Sequence, residues 1–275
     1  MKKLGIYIPS YKRPKRLNTI RFVTKKFINN TFIVITKDDY KDYKKNFNKK
    51  NLLVCPENGI CKTRQWIIEN SKTKYALILD DDLRFQVRRG KNLKLKNFGK
   101  NTFNSMVELL TSWLNEGLVH VGISQRFGNN RIEEDFKEKA RMNNAYAYNC
   151  KEMIKLKEKH NVAFDYLEKK YNKQLVMEDF FVTLSLLQLG YKNRVTFKYC
   201  WNQDQSGSSG GCSEYRSAKM QKESAIILSK EFPKYVRIVE KKSAIDWKGI
   251  GDTRTDVVIS WIKAFRRKDG ISKFI

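Results

Sequence analysis

The sequence predicts an α/β protein, a mostly parallel sheet flanked by helices, and three observations lead there. Runs of unbroken apolarity at residues 4–8, 32–35, 52–54 and 75–79 have the length of strands buried on both faces. Segments of helical spacing or polar composition alternate with them, the order that a parallel sheet requires. The run at 75–79 stops abruptly at Asp80-Asp81-Asp82, where the carboxyl end of a buried strand meets the ligand-binding edge of an open sheet.

At 275 residues the chain suits one large domain, or one domain with an extension. A hydrophobic share of 41% with 12% aromatics predicts a packed core rather than a disordered chain. The 56 Lys+Arg against 29 Asp+Glu leave a formal charge of +27, which points to a polyanionic partner, either nucleic acid or an anionic membrane surface. A Lys- and Asn-rich composition can also reflect an AT-rich genome, so the distribution of charge matters more than its total. Cys55, Cys61, Cys150, Cys200 and Cys212 are odd in number and form no Cys-x-x-Cys pair, which argues against a disulfide framework or zinc site and fits a reducing cytoplasm. The apolar segment before Pro9 is too short for a signal peptide, and no run approaches the ~20 apolar residues of a spanning helix.

The strand at 4–8 runs into Pro9-Ser10-Tyr11-Lys12-Arg13-Pro14, a basic aromatic loop, and Pro14 suits the start of a helix reaching about residue 27. Residues 37–50 read as a solvated helix and loop between the second and third strands. Over 59–71, Ile60, Arg64, Ile67 and Ile68 share one helical face. A guanidinium on an apolar face must pair with a carboxylate or a phosphate. Arg64 therefore reaches the acids after the next strand, as a structural salt bridge, or a phosphate bound beside them. The absence of Gly-x-Gly-x-x-Gly after the first strand and of a Walker sequence argues against dinucleotide and P-loop folds.

Three adjacent carboxylates repel one another, and a divalent cation is the simplest compensation. Alternation along an extended chain puts Asp80 and Asp82 on one side and Asp81 on the other. Such a pair suits Mg²⁺ or Mn²⁺, with water and phosphate filling the other positions. A solvated acidic turn is the competing reading. Immediately beyond, residues 84–100 carry Arg84, Arg88, Arg89, Lys91, Lys94, Lys96 and Lys100 with no acid, interleaved with Phe85 and Phe98. That pattern is a nucleic-acid surface, cations for phosphates and rings for bases, or else a plain solvated loop. Its place two residues past the acids favours the first.

Residues 102–116 form an amphipathic helix with Thr102 as its cap and Gly117 as its stop. Strands follow at 118–123 and 145–149, separated by an irregular polar stretch at 124–144. His120 in a strand and His160 in a charged helix read as structural. Met177-Glu178-Asp179-Phe180 opens a helix over 180–189 that is apolar on nearly every face. Acids there serve as caps favoured by the helix dipole, or as a general base toward an acceptor hydroxyl. A Gly/Ser segment at 202–213, including Gly210 and Gly211 and followed by Tyr215-Arg216, reads as a lid or a linker. A helix over 217–230, a strand at 235–239 and helical spacing at 257–265 complete the chain. Residues 1–216 are expected as the main domain, with 217–275 an extension packed on it.

Taken together, Ile-Pro-Ser-Tyr-Lys-Arg-Pro after the first strand, the arginine helix, the Asp-Asp-Asp strand end and the Glu-Asp helix resemble the nucleotide-sugar glycosyltransferases of the Rossmann-like GT-A fold, over residues 4–216. Within that group the chain looks most like the TET-associated glycosyltransferases, largely of bacteriophages, which attach sugars to hydroxymethylated pyrimidines in DNA. The resemblance implies that Pro9, Ser10, Tyr11 and Arg13 line the nucleotide pocket, with Arg64 near the diphosphate. It implies Asp80 at the donor ribose and Asp82 at the metal, with Asp80 a second metal ligand and Asp81 beside the donor or purely structural. Asp179, with Glu178 beside it, becomes the acceptor-side carboxylate. Gly210, Gly211 and Arg216 fall at the lid, and Arg84, Arg88, Arg89, Lys91, Lys94 and Lys96 at the DNA. The implied cofactor is Mn²⁺ or Mg²⁺, the donor a UDP-linked sugar, the acceptor double-stranded DNA with 5-hydroxymethylcytosine or 5-hydroxymethyluracil, and the setting a host cytoplasm. Many GT-A enzymes add a histidine metal ligand near the lid, whereas this chain has no histidine after His160, leaving Asp204, Cys212, Glu214 or water in its place. Two other classes of function compete: a GT-A enzyme acting on a lipid-linked or surface polysaccharide, and a non-enzymatic nucleic-acid-binding module.

Overall fold

The computed structural model describes residues 3–88, 93–99, 101–129, 131–203, 210–242 and 253–266. Arg89, Lys91, Lys100 and Asp204 lie outside the described residues. The strands are β1 (Leu4–Pro9), β2 (Thr31–Ile35), β3 (Leu52–Val54), β4 (Tyr75–Leu79), β5 (Leu83–Arg88), β6 (Leu95–Asn97), β7 (His120–Gln125), β8 (Phe136–Glu138), β9 (Ala145–Asn149), β10 (Arg194–Gln203), β11 (Val236–Lys242) and β12 (Thr253–Ile259). The helices are α1 (Lys25–Ile28), α2 (Tyr40–Lys44), α3 (Ile60–Asn70), α4 (Thr102–Asn115), α5 (Cys150–His160), α6 (Tyr166–Tyr171), α7 (Glu178–Gln188), α8 (Ala218–Glu231) and α9 (Trp261–Ala264).

One large sheet has the order β3-β2-β1-β4-β9-β7-β10-β5-β6, with β8 also pairing on β10. Strands β1 to β4, β6, β7 and β10 run one way, while β5, β8 and β9 run the other. The α/β class with a mostly parallel sheet is therefore what forms. Its central strands are covered on both sides, as their unbroken apolarity requires. Leu4, Ile6 and Ile8 of β1, with Tyr75, Leu77 and Leu79 of β4, join Phe103, Met106, Leu110 and Trp113 of α4 in one core. Tyr7, Ala76 and Ile78 face the other way and meet α3, α5, α6, α7 and α8 in a second. Each such side chain contributes about 1.5–3 kcal/mol on burial, so the register that points β4 at its acids is strongly fixed.

The C-terminal elements are built into the second core: Ala225, Ile227 and Leu228 of α8, Val236, Val257 and Ala264 are all buried there. Strands β11 and β12 form a separate antiparallel hairpin. No helix among the described residues is long and apolar enough to cross a membrane.

Several expectations are corrected. The segment after Pro14 is not one helix to residue 27; it contains a 3-10 turn at Thr19–Phe22 and the short α1. Helical spacing at 257–265 joined the end of β12 to the start of α9, because Val257, Trp261 and Phe265 happen to fall four apart. The β-branched run of β12 pairs with β11 instead. The cap of α4 is Asn101, one residue before Thr102. Tyr43, in the stretch expected to be solvated, is fully buried. Phe85 and Phe98 stack on each other at 5.5 Å, and Phe85 is 1% exposed, so Phe85 is core rather than a platform for bases.

Candidate active site

Strand β4 ends at Leu79, and Asp80 to Asp82 occupy a turn, so strand alternation does not extend through them. Thr19 clamps this turn: its Oγ1 donates to the Asp80 carbonyl at 2.5 Å and accepts from the Leu83 amide at 2.9 Å, while its amide donates to the Asp81 carbonyl at 3.1 Å. The broken segment after Pro14 thus has a task that a continuous helix would not perform.

The three carboxylates then part company. Asp81 and Asp82, not Asp80 and Asp82, share a partner: Arg13 Nη1 lies 2.9 Å from Asp81 Oδ1 and 3.1 Å from Asp82 Oδ2. Asp81 Oδ2 also accepts from Ser10 Oγ at 2.5 Å, and Ser10 lies 2.6 Å from the Tyr43 hydroxyl, which accepts the Arg13 amide. Asp80 turns to the other side, where Arg64 Nη2 reaches Oδ1 at 2.5 Å and Asn144 Nδ2 donates to Oδ2 at 2.9 Å. Asn144 also donates to Gln203 Oε1 at 2.7 Å.

Arg64 therefore sits on the apolar face of α3 because it is paired twice, as its position demands. Its Nη1 forms a buried ion pair with Glu178, and its guanidinium lies 5.4 Å from the ring centre of Tyr146. Glu178 and Asp179 begin α7, whose remaining residues are buried on nearly all sides. Met177 before them holds a left-handed φ of 71°, a conformation that costs a non-glycine residue about 1–2 kcal/mol. The buried Met177 side chain fixes that turn, and with it the direction of both carboxylates. Asp179 Oδ1 accepts the Phe180 amide at 2.8 Å. Arg141, in the polar stretch before β9, lies 4.9 Å from the Phe180 ring centre.

Electrostatics separate the acids further. Burial raises Asp80 and Asp81 above the ordinary carboxylate range, with Arg64 and Arg13 pulling each back. Asp82 is pushed up to about 7 by burial and then by the charges of Asp81 and Asp80. Asp179 is also pushed up to about 7, by burial and then by Glu178. Each pinned acid thus has a neighbour that holds a proton near neutrality.

At the segment before α8, Arg13 Nη2 donates to the Gly210 carbonyl at 2.8 Å, and Gly211 donates its amide to the Tyr11 carbonyl at 2.8 Å. Gly210 has φ +87°, and a Cβ there would collide with Arg13 and lie 3.0 Å from the Lys12 carbonyl. Arg216 Nη2 donates to Gln221 Oε1 at 2.6 Å. Pro9 ends β1 beside Val34, and Lys12 Nζ lies 5.1 Å from the Tyr11 ring centre.

The basic stretch after the acids is a hairpin at the sheet edge, β5 with β6. Arg84, Lys94 and Lys96 are exposed. Arg88 instead clamps loops, donating to the carbonyls of Leu93 at 2.5 Å and Asn129 at 2.8 Å. His120 is structural, as expected: it is fully buried, with Nε2 3.1 Å from the Tyr191 carbonyl, and burial lowers it to about 4.

Among the described residues no three His, Cys, Asp or Glu side chains gather as a metal site. Mg²⁺ and Mn²⁺ sites completed by substrate need only one or two carboxylates. Asp82 meets that need, because it is the strand-end acid with the least internal compensation: it shares Arg13 with Asp81, which also has Ser10. Of the candidates for a further ligand, Glu214 accepts the Gly210 amide at 2.8 Å and Cys212 Sγ accepts the Tyr215 hydroxyl at 3.1 Å.

Tyr43, Thr19, Asn144, Gln203 and Arg141 belong to this neighbourhood without having been picked out in the sequence. They arrive from four places far apart in the chain, the 3-10 turn, α2, the loop before β9 and the end of β10, so no local pattern marks them. A positive φ of 60° at Asn144 is the nearest thing to a signal, since Asn is among the few residues that tolerate it.

The strand-end acid turn and the Glu-Asp helix start thus meet on one face of this sheet through Arg64. The chain belongs to the TET-Associated Glycosyltransferase family, whose profile matches residues 4–211. No curated protein matches it. Among solved structures it is similar to S. aureus TarS 1-349 in complex with UDP-GlcNAc, at 13% identity and TM-score 0.47, covering 82% of this chain and 66% of that one. It is also similar to glucosyl-3-phosphoglycerate synthase from Mycobacterium tuberculosis in complex with Mg²⁺ and UDP, at 10% identity and TM-score 0.48, covering 94% of this chain and 88% of that one. The chain spans just under two thirds of the TarS chain's length.

Proposed function

We propose that this protein transfers a sugar from a nucleoside-diphosphate sugar, UDP-linked, to the hydroxymethyl group of a modified pyrimidine in DNA. One observation carries the reading: Arg64 is shared between Asp80 at the strand end and Glu178 at the start of α7, so the proposed donor and acceptor carboxylates meet at one place. The family membership and the charge of +27 support the choice of transfer chemistry and of a polyanionic acceptor.

In this reading Asp82 would hold a divalent cation together with the donor diphosphate, whereas Asp80, turned away to Arg64 and Asn144, serves the donor ribose rather than the cation. When bound, that cation neutralises the departing diphosphate. Pro9, Ser10, Tyr11 and Arg13 form the nucleotide side of the pocket, and Asp81 keeps Arg13 in place. Gly210, Gly211 and Arg216 form the lid side. Glu178 is held by Arg64, and Asp179 takes the proton from the attacking hydroxymethyl group. A carboxylate pushed up to about 7 suits a general base working near neutrality. Arg84, exposed next to the acid turn, and Lys94 and Lys96, exposed at the far end of the β5–β6 hairpin, contact DNA phosphates, with Arg89 and Lys91 of the same stretch of sequence. Residues 217–275 are an extension completing the acceptor side, and the setting is cytoplasmic.

The test incubates the protein with DNA containing 5-hydroxymethylcytosine or 5-hydroxymethyluracil, a panel of UDP-sugars, and Mn²⁺ or Mg²⁺. Nucleoside mass spectrometry should show the hydroxymethyl nucleoside gaining the mass of one sugar. No transfer to either base from any donor would overturn the reading, and transfer to a lipid-linked acceptor alone would replace it.

A further inference from the structure

Beyond the acids, Arg141 lies against the start of α7, and two further arginines approach from other places in the chain. Arg141 comes from the loop before β9, Arg216 from the turn before α8, and Arg254 from β12. Arg141 is exposed, lies 4.9 Å from the ring centre of Phe180, and makes no ion pair within 4 Å among the described residues. Phe180 follows Asp179 directly, and its ring also meets Trp261 of α9 edge-on at 5.6 Å. Arg216 is close enough to Glu178, Asp179 and Arg254 for their charges to act on it, and Arg141 likewise feels Asp179, Asp256 and Arg254. Of the acids nearby, Glu178 is engaged by Arg64, and Asp256 by Lys241 at 3.0 Å and Arg254 at 3.4 Å, while Asp179 accepts, among the described residues, only the Phe180 amide at 2.8 Å.

A guanidinium held over a ring with no ion-pair partner within 4 Å has lost freedom before any ligand arrives. That cost is offset when a dianionic or polyanionic group enters. A guanidinium presents a planar fork matched to phosphate oxygens, and stacking on an aromatic face leaves that fork available. Arg254 and Trp261 lie outside the span 4–211 matched by the family, so this part of the chain adds to the site something the family profile does not describe.

We propose that Arg141, backed by Arg216 and Arg254, binds a backbone phosphate of the acceptor strand next to the nucleotide whose hydroxymethyl group faces Asp179. The C-terminal extension thereby acts as a reader of the acceptor backbone. This rests on the transfer to DNA proposed above.

The experiment uses the full chain and compares Arg141→Gln, Arg141→Lys and Arg254→Gln with the unaltered protein. Binding of a hydroxymethylated oligonucleotide duplex is followed by fluorescence anisotropy over a range of salt. Removing one phosphate contact should lower the slope of log K against log salt by about 0.9 for duplex DNA. KM for DNA should rise about tenfold in Arg141→Gln with kcat nearly unchanged, and Arg141→Lys should recover part of the loss because it keeps the charge without the fork. If the unaltered protein transfers no sugar to this DNA, the functional reading itself fails. If it does, and Arg141→Gln leaves both slope and KM unchanged, the phosphate contact is wrong. A fall in kcat with unchanged slope would make Arg141 a partner of Asp179 instead, and binding to anionic vesicles but not to DNA would assign the cluster to lipid headgroups; either result overturns the proposal.

Discussion

At the end of β4, three carboxylates draw on two guanidiniums, a hydroxyl and a side-chain amide; at the start of α7, two carboxylates draw on one of those same guanidiniums and one backbone amide. Both places fix some acids tightly and leave one, Asp82 or Asp179, pushed up to about 7. The supply of partners differs, yet the outcome is the same. Burial is the larger cause at both, and the unequal sharing adds to it: a fixed neighbour supplies negative charge that pushes the remaining acid up further. Burial acts at both places; they differ in what fixes the neighbours, loop residues after β1 at the strand end and Arg64 at the helix start.

Removing the shared cation should have the largest effect, because it damages both places at once. Arg64→Met leaves Asp80 and Glu178 buried without their counter-charge, and about 3–5 kcal/mol of stability should be lost, measured by chemical denaturation. Equal stability in the variant would mean that the acids find other partners and that the sharing is incidental.

Next come the two loosely held acids themselves. Asp179→Asn and Asp82→Asn should each lower transfer by roughly 10²–10⁴-fold while leaving the fold intact. Their stability should depend on pH in a definite sense. A carboxyl whose folded value is raised to about 7 from 3.8 stabilises the fold fully below about 3.8 and loses that contribution as pH rises through about 7. Each asparagine variant should therefore gain melting temperature relative to the unaltered protein at pH 8 and show little gain at pH 4. The opposite trend would place the folded values below the ordinary carboxylate range.

The smallest effect distinguishes the strand end from the helix start. Gly210→Ala should strain a left-handed position and press on Arg13, costing about 1–3 kcal/mol and loosening Asp81 and Asp82 while leaving Glu178 and Asp179 as they are. Thermal unfolding read with the pH dependence of transfer would show whether only the strand-end acids have moved.

Much of this arrangement is visible in the chain itself, and the part that is not has a common cause. Strands β1 and β4 and helices α3 and α7 are legible because their burial patterns are local and periodic. Arg64 is legible because a guanidinium on an apolar face cannot stay unpaired. The sharing of Arg13 by Asp81 and Asp82 is not legible, since strand alternation ceases where the chain turns, and the turn is held by Thr19 from 61 to 64 residues away. Tyr43 looked solvated among lysines, yet its hydroxyl supports Ser10 and Arg13. In the basic stretch after the acids, charge alone does not separate a loop clamp such as Arg88 from an exposed cation such as Lys96. At the C-terminus a four-residue spacing was mistaken for a helix because strand and helix each contributed part of it.

The sharing of Arg64 has one further consequence. A guanidinium divided between two acids grips one more firmly whenever the other is neutralised. Anything that shields Asp80 thus tightens Arg64 on Glu178, and anything that engages Glu178 alters the charge presented at Asp80. Thermodynamic linkage makes that influence mutual and equal in free energy. Two ligands on opposite sides of Arg64 do not bind independently, even where they never touch.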